Sequence, residues 1–396
     1  MRATSSFAAA AAILAASVSA ATPAYLGFNS GSTLPDRSAK FKKDFVQEFT
    51  TAQNLKNAPG KFDAVRLYTN IQAYSETSEP IEAFDAAIET NTKILLGVWA
   101  SGVKNIDPEL KALENGLKKH GSKLTDLVIG ISIGSEDLYR DSATGIKNKA
   151  GLGAGPDVLV KFINDFKTKF ANTPLASIPV GHVDTWDAWV NGTNKPVVDA
   201  VDFVGVDEYP YYENGKGNNI ENSGQLFDRA YNAVKAAIGD KELWMTETGW
   251  PYVGETWDLA VPSVKNAQYF WQEVGCRKLF NKVPTFWYTL RDSNPDNTMK
   301  FAITKNLNTE PMFDLTCPIT FKTPEAAESS GSEKPPSSTG TNAPAPTGGA
   351  DSPTGTGAGT GTGSSTSPTP TGGASFKTFS YAAAGLSAAA YLAAML

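Results

Sequence analysis

Histidine and cysteine are nearly missing from this chain: of its 396 residues, two are His (His120, His182) and two are Cys (Cys276, Cys317). A zinc centre built from Cys and His needs three or four such ligands, so there is little material for one. A Ser-His-Asp triad is equally short of candidates for its base. Blocks of like charge are also lacking, and the net charge of −6 with a pI near 5.2 argues against a nucleic acid or an anionic membrane surface as partner. No metal and no cofactor is expected. Acid–base chemistry is left mainly to the 41 Asp and Glu.

The chain also lacks an apolar run long enough to span a membrane comfortably. Arg2 precedes the apolar stretch 7–18, and Val18-Ser19-Ala20 supplies small residues for cleavage, so residues 1–20 read as a secretory signal peptide. Secretion makes a Cys276–Cys317 disulfide the expectation, against two buried free thiols. At the other end, Gly372-Gly373-Ala374-Ser375, a short spacer and the apolar run 381–396 match a GPI-anchor signal, with Gly372 the favoured attachment residue and 373–396 removed. Residues 323–372 are dense in Ser, Thr, Pro and Gly. Such composition buries too little surface to offset its ordering entropy, which predicts a disordered, O-glycosylated stalk. Asn191-Gly192-Thr193 is an N-glycosylation sequon with Asn191 as acceptor. The protein is expected at the cell surface, attached to the plasma membrane by the anchor or incorporated in the wall, and as a monomer.

Between these signals, residues 21–322 form the candidate catalytic domain. Short apolar runs at 25–28, 62–68, 94–99, 127–136, 178–183, 201–207, 243–247 and 284–290 read as strands. Amphipathic stretches at 38–51, 80–90, 107–120, 156–170, 224–238 and 264–280 read as helices between them. In the first, Phe41, Phe45 and Phe49 share one face; in the fourth, Val160, Ile163 and Phe166 do. Alternation of apolar strands with helices is the pattern of a parallel sheet covered on both faces. Eight strands over this length favour an α/β fold of the (β/α)8 TIM-barrel type.

In such a barrel the reactive groups gather at the C-terminal ends of the strands. Glu136 ends the fourth predicted strand, and Glu247 ends the seventh within Thr246-Glu247-Thr248-Gly249-Trp250-Pro251. Two carboxyls facing each other across a barrel mouth can cleave a glycosidic bond, one protonating the leaving oxygen and the other attacking or activating water. The competing reading is a pair of surface salt-bridge partners, since most Glu are exposed. Tyr68, Trp99, Tyr209, Tyr211, Trp250, Trp287 and Tyr288 also fall near strand ends, where aromatic faces can stack on sugars or simply pack the barrel top. Asp207 and Glu208 are rival carboxylates, read as groups that hold substrate or the reactive pair.

The stretch Thr246–Pro251 closely resembles the signature of glycoside hydrolase family 17, retaining β-1,3-glucanases with a (β/α)8 barrel. Val65-Arg66-Leu67-Tyr68 and Asp207-Glu208-Tyr209-Pro210-Tyr211 are also similar to that family, and the likeness runs from about Tyr25 to Cys317. With its terminal signals the chain resembles the fungal GPI-anchored endo-β-1,3-glucanases of the family, enzymes of cell-wall glucan remodelling. The resemblance implies Glu247 as nucleophile and Glu136 as proton donor and base. It further implies Arg66, Tyr68, Ser135, Asp207, Tyr209, Trp250, Trp287 and Tyr288 as substrate-site residues, and β-1,3-glucan as the partner. Ser135 departs from the Asn that many relatives carry before the acid/base, which shortens that side chain's reach to the sugar 2-hydroxyl.

On this reading Arg66 and Tyr209 hold Glu247 ionised, while burial and the charge of Glu247 raise the pKa of Glu136. A retaining pair stands about 5–5.5 Å apart. Transfer of the glycosyl group to another glucan instead of water is the close rival. A non-catalytic wall-anchored glucan-binding protein and a different β-glycanase on the same barrel also compete. Gly151-Leu152-Gly153-Ala154-Gly155 lacks the Lys of a phosphate-binding loop and reads as a flexible connection. His182, at a strand end, is a structural histidine or a site residue.

Overall fold

The computed structural model describes residues 23–321. The expected signal peptide, stalk, attachment residue Gly372 and anchor signal lie outside the described residues. Eight parallel strands close into a barrel in sequence order: β1 Leu26–Ser30, β2 Ala64–Leu67, β3 Lys93–Val98, β4 Val128–Ser135, β5 Val180–Thr185, β6 Phe203–Asp207, β7 Glu242–Glu247 and β8 Thr285–Trp287. The circle is completed by β8 pairing with β1, Gly27 opposite Phe286. This is the (β/α)8 barrel that the apolar strands and their spacing predict.

The strands are largely apolar because both faces are covered, with polar residues mainly toward their C-terminal ends. β1, β2, β5, β6 and β8 are buried at every position. Side chains that alternate inward make a small separate cluster of Ala64, Leu95, Phe203, Trp244 and Phe286. The Trp244 indole stacks on Phe203 with centroids 4.2 Å apart, so the lower interior is a packed plug. Outward side chains meet the helices. The helix Pro156–Phe170 buries Leu159, Phe162, Ile163, Phe166 and Phe170, so Ile163 and Phe166 face inward as predicted and Val160 stands at the edge of the stripe. The helix Ser223–Ile238 stops where Gly239 takes φ +63°, a conformation open to glycine.

Two helices differ from expectation. The first spans Lys42–Gln53, and Phe41 stands before it, 48% exposed, its backbone N–H bonded to Asp44 Oδ2. A four-residue spacing therefore placed one Phe too many on the buried face. The last helix is α-helical only over Val264–Phe270 and continues as a π-helix over Trp271–Leu279. There Phe280 N–H reaches back five residues to Gly275 O, and its ring occupies the space a Cβ on Gly275 would need. Cys276 in this segment is disulfide-bonded to Cys317, Cα atoms 5.4 Å apart across 41 residues. In chain-entropy terms closing such a loop contributes about 4 kcal/mol.

Asn191 is exposed, and its Oδ1 accepts from both Thr193 N–H and Thr193 Oγ1 at 3.1 and 2.9 Å. The Gly151–Gly155 stretch is fastened rather than loose: Ala154 N–H bonds Asp137 O at 3.3 Å, and Gly153 packs directly on Asp137 and Asp141 backbone. It supports the segment that follows Glu136.

Candidate active site

Both carboxylates arrive at the barrel mouth through breaks in strand regularity. In β7 the pairing with β6 shifts between Val206/Met245 and Asp207/Glu247, so Thr246 is an extra residue. A bulge of this kind lets neighbouring side chains turn to the same side. Thr246 Oγ1 donates to Asp207 Oδ1 at 2.7 Å, and Glu247 next to it reaches the Arg66 guanidinium at 2.6 Å. In β4 the register shifts between Ser132 and Ser135, and Gly134 has φ +86° with Asp137 Oδ2 in the place of any Cβ. Glu136 follows in the left-handed region, φ 55°, uncommon for a residue with a side chain.

The Glu247 carboxylate is surrounded by donors. Arg66 Nη1 and the Tyr68 hydroxyl both bond Oε1 at 2.6 Å, and the Tyr209 hydroxyl bonds Oε2 at 2.8 Å. Glu247 is fully buried and Arg66 is 1% exposed. The guanidinium is itself fixed: it lies over the Tyr68 ring at 4.6 Å, donates to Asn29 Oδ1 at 3.0 Å, and through Nη2 donates to Ser135 Oγ at 2.9 Å. Asn29 in turn donates to Thr246 O and Phe286 O, tying β1 to β7 and β8. One cation thus links the Glu247 end of β7 to the Glu136 end of β4. Ser135 is engaged by Arg66, so its short hydroxyl serves this link.

Glu136 has a different setting. Its Oε2 is 3.1 Å from Arg140 Nη2, one helical turn on in the short helix Asp137–Asp141. Arg140 also donates to Ser135 O and Ser101 Oγ and lies over the Trp99 ring at 5.8 Å. Burial pushes the Glu136 carboxyl well above the ordinary range; Arg140 opposes this, while Asp207, Glu247 and Asp184 add to it. Burial and the charge of Glu247 are the two causes expected from the sequence, and burial is the larger.

The rival carboxyls separate by direction. Asp207 faces Glu247 and Arg66, and burial together with the charge of Glu247 raises its pKa strongly. Glu208 turns away, raised by burial and by Glu213 and Asp187. A cavity of about 230 Å³ beside Glu136 is lined by Asp207, Glu208, Tyr209, Trp186 and Asp187, among others. His182 is fully buried with Nδ1 2.6 Å from Ile133 O and Nε2 2.9 Å from Asp184 Oδ2. Two acceptors call for two ring protons. Burial opposes that charge, but Asp184 and Asp137 raise the pKa above its ordinary value. Asp184 also accepts from Leu138 and Tyr139 N–H, so His182 braces the turn that carries Glu136.

Two expected sugar platforms are elsewhere. Phe286 points into the barrel interior, so Trp287 points out, between Trp271 at 4.9 Å and Phe280 at 5.6 Å. Trp250 is 2% exposed, set edge-on against Tyr211 at 5.1 Å, with its N–H on Val261 O. Strand alternation and the fold-back of the loop after β7 therefore bury both indoles as packing. Tyr288 is half-buried, edge-on to Tyr209 at 6.1 Å, and remains at the mouth. Asn29, Arg140, Trp186 and Asp187 were not anticipated. Only Arg140 had a signal, its i,i+4 spacing from Glu136. Among the described residues no group of three or more His, Cys, Asp or Glu side chains is arranged to hold a metal ion.

Residues 35–306 match the sequence profile of the BtgE/BtgC glycoside hydrolase domain. The chain belongs to the BtgE/BtgC glycoside hydrolase family. A protein of Aspergillus terreus named a probable glucan endo-1,3-β-glucosidase is 49% identical over 307 residues, 77% of this chain and 62% of that protein. The chain thus spans about three-fifths of that relative's length. Candida albicans glucan 1,3-β-glucosidase is 32% identical over 57% of this chain and 73% of its own. Among solved structures, a family 17 β-1,3-glucanosyltransferase of Rhizomucor miehei aligns with TM-score 0.58 at 22% identity, over 73% of this chain and 98% of its own. That likeness concerns the fold.

Proposed function

We propose that this family member is a retaining endo-β-1,3-glucan hydrolase, with Glu247 as nucleophile and Glu136 as acid and base. The observation that carries the assignment of roles is the contrast in contacts: three donors on Glu247, and a buried, pKa-raised carboxyl at Glu136. The substrate class comes from the relatives named for glucan endo-1,3-β-glucosidase activity. In the first step a Glu247 oxygen bonds to the anomeric carbon, the C1–O3 bond breaks, and the Glu136 proton passes to the departing O3. Arg66, Tyr68 and Tyr209 hold the nucleophile in place before attack. Forming the ester removes the charge on Glu247, which lowers the pKa of Glu136 and readies it as a base. Water then gives a proton to Glu136 and its oxygen to C1, releasing Glu247 with the starting configuration restored.

The terminal signals support secretion and a GPI anchor, with Asn191 carrying a glycan. Release from cells by a phosphatidylinositol-specific phospholipase tests the anchor. The activity is tested by incubating the purified protein with reducing-end-labelled laminari-oligosaccharides. Shorter β-configured products are expected. Products longer than the substrate would instead assign transfer to a second glucan, and no turnover of any β-glucan would leave a binding protein.

A further inference from the structure

We propose that Asp207 works as a neutral carboxylic acid, whose Oδ2 carries a proton and donates a hydrogen bond to an oxygen of the glucosyl unit held at Glu247. The inference rests on the reading of Glu247 as nucleophile. Asp207 ends β6, is 2% exposed, and lies opposite Glu247 in the strand register, just past the bulge. Its two oxygens are unequal. Oδ1 accepts the Thr246 hydroxyl at 2.7 Å, whereas Oδ2 is buried with no hydrogen-bond partner among the described residues. An ionised carboxylate with one orphaned, buried oxygen forgoes hydration without replacement, whereas a protonated oxygen becomes a donor in search of an acceptor. Asp207 also lines the cavity beside Glu136, so an acceptor can come from a bound sugar.

The groups facing Asp207 agree with a retained proton. Glu247 on β7, Asp184 on β5 and Glu136 after β4 are carboxyls, Tyr209 is a phenol, and Arg66 on β2 is the one cation among them. Arg66 Nη1 is shared between Glu247 and Asn29, and Nη2 is taken by Ser135. Burial, then the charge of Glu247, outweigh Arg66 and push Asp207 well above its ordinary range. A carboxylic acid kept neutral by an apolar, carboxylate-rich site is a known way to supply a short hydrogen-bond donor.

The test uses the full chain and a pair of variants. Asp207→Asn keeps an acceptor for Thr246 and a donor at the Oδ2 position; Asp207→Ala keeps neither. On laminari-oligosaccharides, kcat/KM of Asp207→Asn is expected to stay at least about tenfold above that of Asp207→Ala. Its alkaline limb is expected at or above the wild-type position. An Asn variant as poor as the Ala variant, or an alkaline limb moved downward, overturns the proposal. A downward shift would mean that Asp207 was ionised and had been holding the Glu136 proton by repulsion. In unsubstituted protein labelled with carboxyl-¹³C aspartate, NMR at neutral pH should show a protonated Asp resonance that Asp207→Asn removes; its absence also overturns the proposal. Trapping with a 2-fluoro glucosyl fluoride keeps the two readings apart. A label found on Glu247 in Asp207→Asn preserves the nucleophile assignment whatever the limb does, and a label elsewhere removes that assignment itself.

Discussion

Glu247 and Glu136 end two strands of one barrel, are equally hidden from solvent, and live in opposite surroundings. Glu247 receives a guanidinium and two phenol hydroxyls. Glu136 receives one guanidinium at 3.1 Å and is flanked by Asp207, Asp184 and Glu247. On the proposed roles, burial is therefore not what separates the nucleophile from the acid. The difference is the count of donors against the count of neighbouring carboxyls, and substitutions that alter either count should shift the balance in a calculable direction.

The largest effect should come from the two carboxyls themselves, and it should be unequal. Glu247→Gln removes the attacking oxygen and is expected to lower kcat by about 10⁴-fold or more. Glu136→Gln removes proton donation, a loss of about 10²- to 10⁴-fold. The Glu136 deficit should shrink on aryl β-laminaribiosides whose leaving group needs no proton, and the Glu247 deficit should not. Equal deficits on both substrates would erase the contrast.

Next come the donors on Glu247. Tyr68→Phe and Tyr209→Phe each remove one hydrogen bond to a charged group, about 1.5–3 kcal/mol. Steady-state kinetics should show kcat lowered about 10- to 100-fold for each, with KM changed less. Arg140 probes the other side. Its charge lowers the Glu136 pKa, so Arg140→Met should raise it, and the alkaline limb of the rate profile should move upward. A downward shift would show that Arg140 acts through the backbone of Ser135 rather than on the carboxyl.

The last effect is on stability and leaves the rate least changed. Glu109, buried, accepts from the Thr69 hydroxyl and from Asn70 N–H at 2.7 Å, fastening the loop after Tyr68. Burial raises its pKa from 4.5 to about 7 against those hydrogen bonds. A raised acid stabilises the fold fully below its ordinary value, and that contribution fades as pH climbs through about 7, by roughly 3 kcal/mol in all. Denaturant titrations between pH 4 and 8 should show Glu109→Gln losing this part of the pH dependence.

The barrel was legible because strands buried on both faces are largely apolar, and polar or glycine-containing breaks follow them. The two carboxyls were legible because a lone Glu at the tip of such a strand is conspicuous. What escaped was anything set by irregular backbone. The bulge at Thr246 and the left-handed turn at Glu136 decide which way side chains face, and neither has a periodic signature. The same limit placed Trp287 and Trp250 among the sugar platforms: one residue of strand phase and one loop fold-back separate a stacking surface from core. Asn29 depends on bonds to distant strands, and Trp186 on a cavity assembled from several loops, and neither left a local mark.

The division of roles between the two carboxyls is exposed by trapping the glycosyl-enzyme with 2-deoxy-2-fluoro-β-laminaribiosyl fluoride and sequencing the labelled peptide by mass spectrometry. One sugar per chain is expected, esterified to Glu247, with no label in Glu247→Gln. A label on Glu136 or Asp207, or inactivation-free turnover giving inverted product, would refute the assignment.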